Sequence, residues 1–269
     1  MAFGDIVKKG LRAFLSEDRF TDELCVFIHI PKTAGSSLSS ELDRLRPPYR
    51  NIHRRYFHGA TVTFSPIEDE IAAAIDRGAL AKARSCSGHF SWNQAAAIRA
   101  ARPDARAFTF LRDPVKRIIS DYRYSRTPTH PTYKETIARF PTVESYIAAP
   151  ETQDKMARFL MPNDVRSPAE IEAFVDQNYA FIGLLEMYPL SFNILSRLLG
   201  DNLMPSEHKR KTEATQDNEV EETAELHALI AYYNQRDKVL YELVRRKLVA
   251  VRDEWRDMRQ AEARATRAA

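Results

Sequence analysis

The chain has 269 residues, 44% of them apolar and 29% charged, with a formal net charge of only +3. That is enough apolar material for one large core, or a core with a helical annex, and too balanced a charge to draw nucleic acid to the molecule as a whole. No apolar run approaches the roughly 20 residues of a membrane-spanning helix. The first 20 residues also lack the apolar centre of a signal peptide, so the expected compartment is the cytoplasm.

In chain order, Phe3, Ile6, Val7, Leu11, Phe14 and Leu15 fall on one helical face. They predict an amphipathic helix over residues 1–20, docked on the rest of the molecule rather than lying on a membrane. The run Leu24-Cys-Val-Phe-Ile-His-Ile30 reads as a buried parallel strand. Further strand-like runs follow at 83–87, 105–111 and 179–185, alternating with helical patterns. That alternation predicts an α/β fold in a single domain over 1–269, with a central, mainly parallel sheet covered by helices on both faces. The prolines at 128, 131, 141, 150, 162 and 168 read as short helices and loops wrapping the sheet edge. From about 220 to 259 a long C-terminal helix is expected, with Leu226, Leu229, Ile230, Tyr233, Leu240, Leu243 and Val244 as its core-facing stripe. Residues 261–269 are expected to fray. The two cysteines, Cys25 and Cys86, read as buried reduced thiols.

Three of the loops that follow predicted strands carry chemistry, and in an open parallel sheet such loops converge at one rim. The first is Pro31-Lys-Thr-Ala-Gly-Ser-Ser37, leading into a helical pattern at Leu38, Leu42 and Leu45. A helix start presents unpaired N–H groups and a partial positive charge, which suits a phosphate-like anion. Lys32 adds a point charge, Thr33, Ser36 and Ser37 add hydroxyls, and Gly35 lets the backbone approach closely; Ala34 completes the loop. GxxxxGK[ST] is absent, so this is no Walker A loop and the γ-phosphate of ATP is not the expected ligand. The second is Arg112-Asp-Pro-Val-Lys-Arg-Ile-Ile-Ser-Asp-Tyr122, where Asp113 suits an N-cap and Pro114 the first helical position. Arg112 can hold a second phosphate as a fork, with Ser120 two turns on to share it. The third is Gly88-His89-Phe90, which places an imidazole beside the anion rim. His53 and His58 are rival bases or acceptor contacts, and His29 lies within its strand. No spacing of Cys, His and acidic residues suggests a metal site.

With these residues in view, the chain resembles the PAPS-dependent sulfotransferases, most closely the family-2 group of heparan sulfate 2-O- and 6-O-sulfotransferases and bacterial relatives. The resemblance runs from about residue 24 to 248, with weaker matches at Met156–Leu160, Phe181–Glu186 and Asn234–Tyr241. It implies a three-layer, P-loop-like fold. It further implies that the Lys32 loop holds the 5′-phosphosulfate of PAPS, that Arg112 and Ser120 hold the 3′-phosphate, and that His89 is the general base. A basic loop closing over the nucleotide maps to 208–212, giving Lys211 and Thr212 as further contacts. Ala34 and Ser36 stand where relatives often carry Gly and Thr. The membrane anchor and paired cysteines of Golgi members are missing, as in a bacterial cytosolic enzyme. The implied reaction is in-line sulfuryl transfer to a hydroxyl, most often of a carbohydrate, with PAP as product and no metal. Arg54, Arg55, Arg123 and Arg126, with His53 and His58, are candidates to meet an acidic acceptor. No nucleic-acid partner or integral membrane segment is expected, and the C-terminal helix leaves a homodimer open. The alternatives are a nucleotide-dependent phosphotransferase and a PAP- or PAPS-binding module without catalysis.

Overall fold

The computed structural model describes residues 2–33, 35–57, 63–205 and 218–268, except for the side chains of 35–37 and 268. Its strands are β1 (Cys25–Ile28), β2 (Tyr49–Ile52), β3 (Tyr56–Phe57), β4 (Thr63–Phe64), β5 (Ser85–Gly88), β6 (Arg106–Leu111) and β7 (Phe181–Leu184). Among the described residues they form a five-stranded parallel sheet in the order β2-β5-β1-β6-β7, with β3 and β4 as a separate antiparallel pair. Central strands in such a sheet are covered on both faces and so read as unbroken apolar runs. The central strand β1 follows that rule, and β7, although at the edge of the sheet, is likewise buried at every residue.

The helices are α1 (Asp5–Lys9), α2 (Leu11–Glu17), α3 (Gly35–Leu45), α4 (Ile67–Asp76), α5 (Ala96–Ala101), α6 (Pro114–Ser125), α7 (Tyr133–Arg139) and α8 (Val143–Ala148). They continue with α9 (Lys155–Leu160), α10 (Pro168–Asn178), α11 (Tyr188–Leu198), α12 (Ala224–Tyr233), α13 (Gln235–Ala250) and α14 (Arg252–Ala268). Helix α3 packs on β2 and β5, α11 packs on β7, and α13 reaches β7, α6, α9 and α10. A smaller core, built on Ile118, Tyr122, Tyr146, Ile147 and Ile230, joins α6, α8 and α12.

Two expected helices are divided. The predicted 1–20 helix breaks at Gly10, whose φ of 77° is one that side-chain-bearing residues avoid. The Glu254 carboxylate then accepts from the Leu11 and Arg12 N–H groups, capping α2 from the far end of the chain. Phe3, Ile6, Leu11, Phe14 and Leu15 are buried as expected, but Val7 is exposed. The predicted 220–259 helix breaks at Asn234 and Val251, and the segment from 261, expected to fray, is helical through Ala268. Arg197, paired with Glu262, and Trp255, donating to Asn193, hold α14 on α11. The cysteines are free and buried, and loss of solvent pushes both thiols up to about 12.

Strand β2 was not predicted, because Tyr-Arg-Asn-Ile carries polar residues at an edge position. It lies so close to β5 that a Cβ on Gly88 would strike the Ile52 carbonyl oxygen and sit 2.7 Å from the Phe90 ring. Gly88→Ala is therefore expected to lower the unfolding free energy by about 1–3 kcal/mol. Urea denaturation reads this; an unshifted midpoint would contradict the close approach.

Candidate active site

The carboxyl ends of β1, β5 and β6 meet at one rim, and hydrogen bonds join them. Beyond β1, the His29 carbonyl accepts from His89 Nδ1 at 2.7 Å, and the Lys32 carbonyl accepts from Arg112 Nη1 at 3.4 Å. The sheet thus brings Lys32, His89 and Arg112 together. Ser120 lies on α6, one residue before Asp121, whose charge acts on both Lys32 and His89.

Lys32 has a φ of 70°, strained for a residue with a side chain. Its Nζ lies 4.1 Å from the centroid of the Tyr124 ring, a cation–π contact from α6. Burial lowers the Lys32 pKa and Arg112 adds to that, while Asp121 opposes it. Thr33 is fully buried and donates to the Ile30 carbonyl at 3.0 Å. Its hydroxyl hydrogen is thus engaged in holding the loop that the sequence singles out for a ligand. Arg112 is half-buried and, among the described residues, forms no ion pair. Asp113 instead caps α6, accepting from the Lys116 N–H at 2.9 Å. Burial lowers the Arg112 pKa against the pull of Glu186 and Asp113.

The hydrogen bond of His89 fixes its tautomer. A carbonyl oxygen only accepts, so Nδ1 carries the hydrogen and the neutral ring keeps its lone pair on Nε2. The ring packs on that of His29 with centroids 4.0 Å apart, while its outer edge meets solvent. Desolvation of the packed face lowers its pKa, with Lys155 and Arg54 adding to the effect and the His29 carbonyl and Asp121 opposing it. His29, between Phe27 and His89, is held down to about 3, first by burial and then by its neighbour's charge.

Sequence reasoning missed the charge network beneath these groups. Asp121 is buried and accepts from Arg117 Nη1 at 3.0 Å and Lys155 Nζ at 2.7 Å. Burial alone would raise its pKa, but Lys155 and Arg117 outweigh it and hold the carboxyl at about 2. Lys155 opens α9, whose first N–H groups are capped from α13: Asp237 accepts from Met156 N at 3.2 Å and Ala157 N at 2.7 Å. Burial raises Asp237 to about 6 despite Arg117. His130 joins the cluster edge-on to Tyr124, and burial lowers its pKa. Arg117 and Asp121, one helical turn apart in a motif already singled out, were the available signal; Lys155, 34 residues beyond Asp121, had none.

The other predicted contacts scatter. His53 and Arg54 are exposed beyond β2, and of these Arg54 acts electrostatically on His89. Arg55 pairs with Glu70 at 2.7 Å, Arg123 donates to the Val220 carbonyl, and Arg126 donates to the Phe140 carbonyl. Ala34, His58, Lys211 and Thr212 lie outside the described residues, as do the side chains of Gly35, Ser36 and Ser37. Among the described residues, no group of three or more His, Cys, Asp or Glu side chains converges as metal ligands would, and no helix is long and apolar enough to cross a membrane.

Loops carrying hydroxyls and basic side chains follow the adjacent strands β1 and β6, with an imidazole after β5 on the other side of β1, an arrangement that can hold an anionic ligand at the carboxyl rim of a parallel sheet. The model of the sulfotransferase family matches residues 19–161, more than half of the chain and all three loops, so the protein belongs to the sulfotransferase family. No curated protein matches. Among solved structures, the chain is similar to a sulfotransferase from Alicyclobacillus acidocaldarius at 17% identity, over 87% of this chain and 100% of that one, with a TM-score of 0.45. It is also similar to mouse sulfotransferase SULT7A1 complexed with PAP, at 13% identity over 88% and 94% of the two chains, with a TM-score of 0.32.

His29 sets a pH dependence of stability. Its folded ring stays neutral down to about pH 3, whereas an unfolded histidine protonates near 6.5. Between those values the unfolded chain binds more protons. This contribution is complete above about pH 6.5 and is lost as pH falls toward 3. His29→Phe is expected to flatten the decline in urea midpoint between pH 7 and pH 5; an equally steep decline would contradict the burial of a neutral ring.

Proposed function

We propose that the rim binds PAPS and that the enzyme transfers its sulfuryl group to a hydroxyl, with a carbohydrate as the acceptor class. The observation that carries this reading is the abutment of the two loops through Arg112 and the Lys32 carbonyl, at 3.4 Å, with Arg112 in no ion pair among the described residues. One nucleotide bearing two separated anionic groups suits such a pair of sites. Arg112 and Ser120 would hold the 3′-phosphate; the Lys32 loop, with the N–H groups that open α3, would hold the 5′-phosphosulfate. Membership of the sulfotransferase family supports the assignment.

When bound, the nucleotide supplies an activated sulfuryl group on a phosphate leaving group. The chain's own residues supply position and charge. His89 Nε2, unprotonated and held by the His29 carbonyl, accepts the acceptor hydroxyl's proton. Lys32 places positive charge where negative charge develops on the leaving side. Asp121 balances Lys155 and Arg117, so His89 works beside neutralised rather than bare cations. Arg54, whose charge reaches His89, borders the acceptor side and suits an acidic sugar.

Labelled-sulfate transfer from PAPS across a panel of carbohydrate and simple alcohol acceptors tests the reading, alongside calorimetry with PAP. His89→Ala is expected to lower turnover by about 10²–10⁴-fold with PAP affinity kept. Arg112→Ala is expected to weaken PAP by at least about tenfold. Transfer by His89→Ala at the parent rate, or unchanged PAP affinity in Arg112→Ala, would overturn the assignment.

A further inference from the structure

Beyond the nucleotide rim lies an open cleft of about 540 Å³ whose lining includes Arg158, Arg166, Arg236, Glu151, Asp154 and Asn163. The three arginines come from different parts of the chain: α9, the turn before α10, and the first turn of α13. Backbone carbonyls orient each of them. Arg158 Nη1 donates to Pro150 O at 2.9 Å, and Arg166 Nε donates to Asn163 O at 3.0 Å. Arg236 Nη2 donates to Pro162 O and Val165 O at 3.1 and 2.8 Å, while its buried Nε finds no partner.

None of the three forms an ion pair among the described residues, whereas the acids around them are engaged. Glu151 pairs with Arg139. Asp154 Oδ1 accepts from the Arg236 and Asp237 N–H groups at 3.0 and 3.1 Å. Glu170, beside the cleft, accepts from the Arg166 and Ser167 N–H groups. Guanidinium groups already fixed by carbonyls present their remaining N–H donors at little further loss of rotamer freedom, and their planar forks match tetrahedral or carboxylate oxygens.

We propose that this cleft is a separate oxyanion site, taking a sulfate, phosphate or carboxylate group, either as a free ion or as a substituent on an acceptor. One short turn connects it to the catalytic rim. Asp154 lines the cleft in a left-handed conformation, φ 46°, and the next residue, Lys155, reaches Asp121 on the other side. An anion in the cleft therefore acts on the backbone that places Lys155.

Calorimetry at matched ionic strength tests the proposal with sodium sulfate, with a sulfated disaccharide and with its unsulfated counterpart. Three proteins are compared: the parent chain, the double variant Arg158→Gln/Arg166→Gln, and Arg112→Ala, which removes a nucleotide-site contact. The parent and Arg112→Ala are expected to bind sulfate or the sulfated sugar through one common site, which the double variant weakens by at least about tenfold. Sulfate bound in that pattern identifies a free-ion site; the sulfated sugar alone identifies a group carried by the acceptor. Equal binding by the double variant, loss of all sulfate binding in Arg112→Ala, or no binding of either probe by the parent overturns the proposal. Arginine Nε–H resonances of the parent, followed by NMR during the sulfate titration, give a readout that does not depend on the folding of any variant, and unshifted resonances likewise overturn it.

Discussion

Just past β1, the backbone offers two carbonyls to its neighbours, and the geometry of the candidate site hangs from them. The His29 carbonyl takes the Nδ1 hydrogen of a side chain from the end of β5, and the Lys32 carbonyl takes a guanidinium hydrogen from the end of β6. Both donors belong to strands hydrogen-bonded to β1 in parallel register, which is why residues 60 and 80 positions away in sequence arrive at one rim. The first bond does more than position a ring. It decides which imidazole nitrogen keeps a lone pair: Nδ1 carries the hydrogen, and Nε2 is left able to accept one.

A second constraint is electrostatic. Lys32, Lys155, Arg117 and two histidines, His89 and His130, feel one buried carboxylate, Asp121. Buried ion pairs seldom add net stability, because desolvation offsets the attraction. Their effect here is on protonation and position: Lys155 favours the neutral form of His89 while Asp121 opposes it, and Lys155 is tied to α6. Helix α13 reaches into the arrangement through Asp237, which caps the helix that Lys155 begins.

Much of this was legible in the chain. The apolar run 24–30 contains β1, 105–111 contains β6 and 179–185 contains β7, because burial on both faces leaves no polar alternation to misread. Asp113 and Pro114 marked the start of α6, and Arg112 and His89 stand where loops after parallel strands had to converge. The losses have physical reasons as well. Strand β2 is stabilised by its pairing with β5, not by its own polar residues. The N-terminal helix divides where one glycine takes a positive φ and a carboxylate from the last helix caps the second piece, a contact separated by more than 240 residues. Lys155 and Asp237 reach the site through packing between distant helices, and neither carries a local pattern that names a partner.

The central claim is that one nucleotide occupies both anion-binding loops at once. Phosphorus NMR of PAP during titration with the protein reads each end separately, since its 3′- and 5′-phosphates give distinct resonances. The account requires both to move on binding, with the 3′ shift abolished in Arg112→Ala and the 5′ shift abolished in Lys32→Ala. A single moving resonance, or two that respond identically to both substitutions, would contradict it.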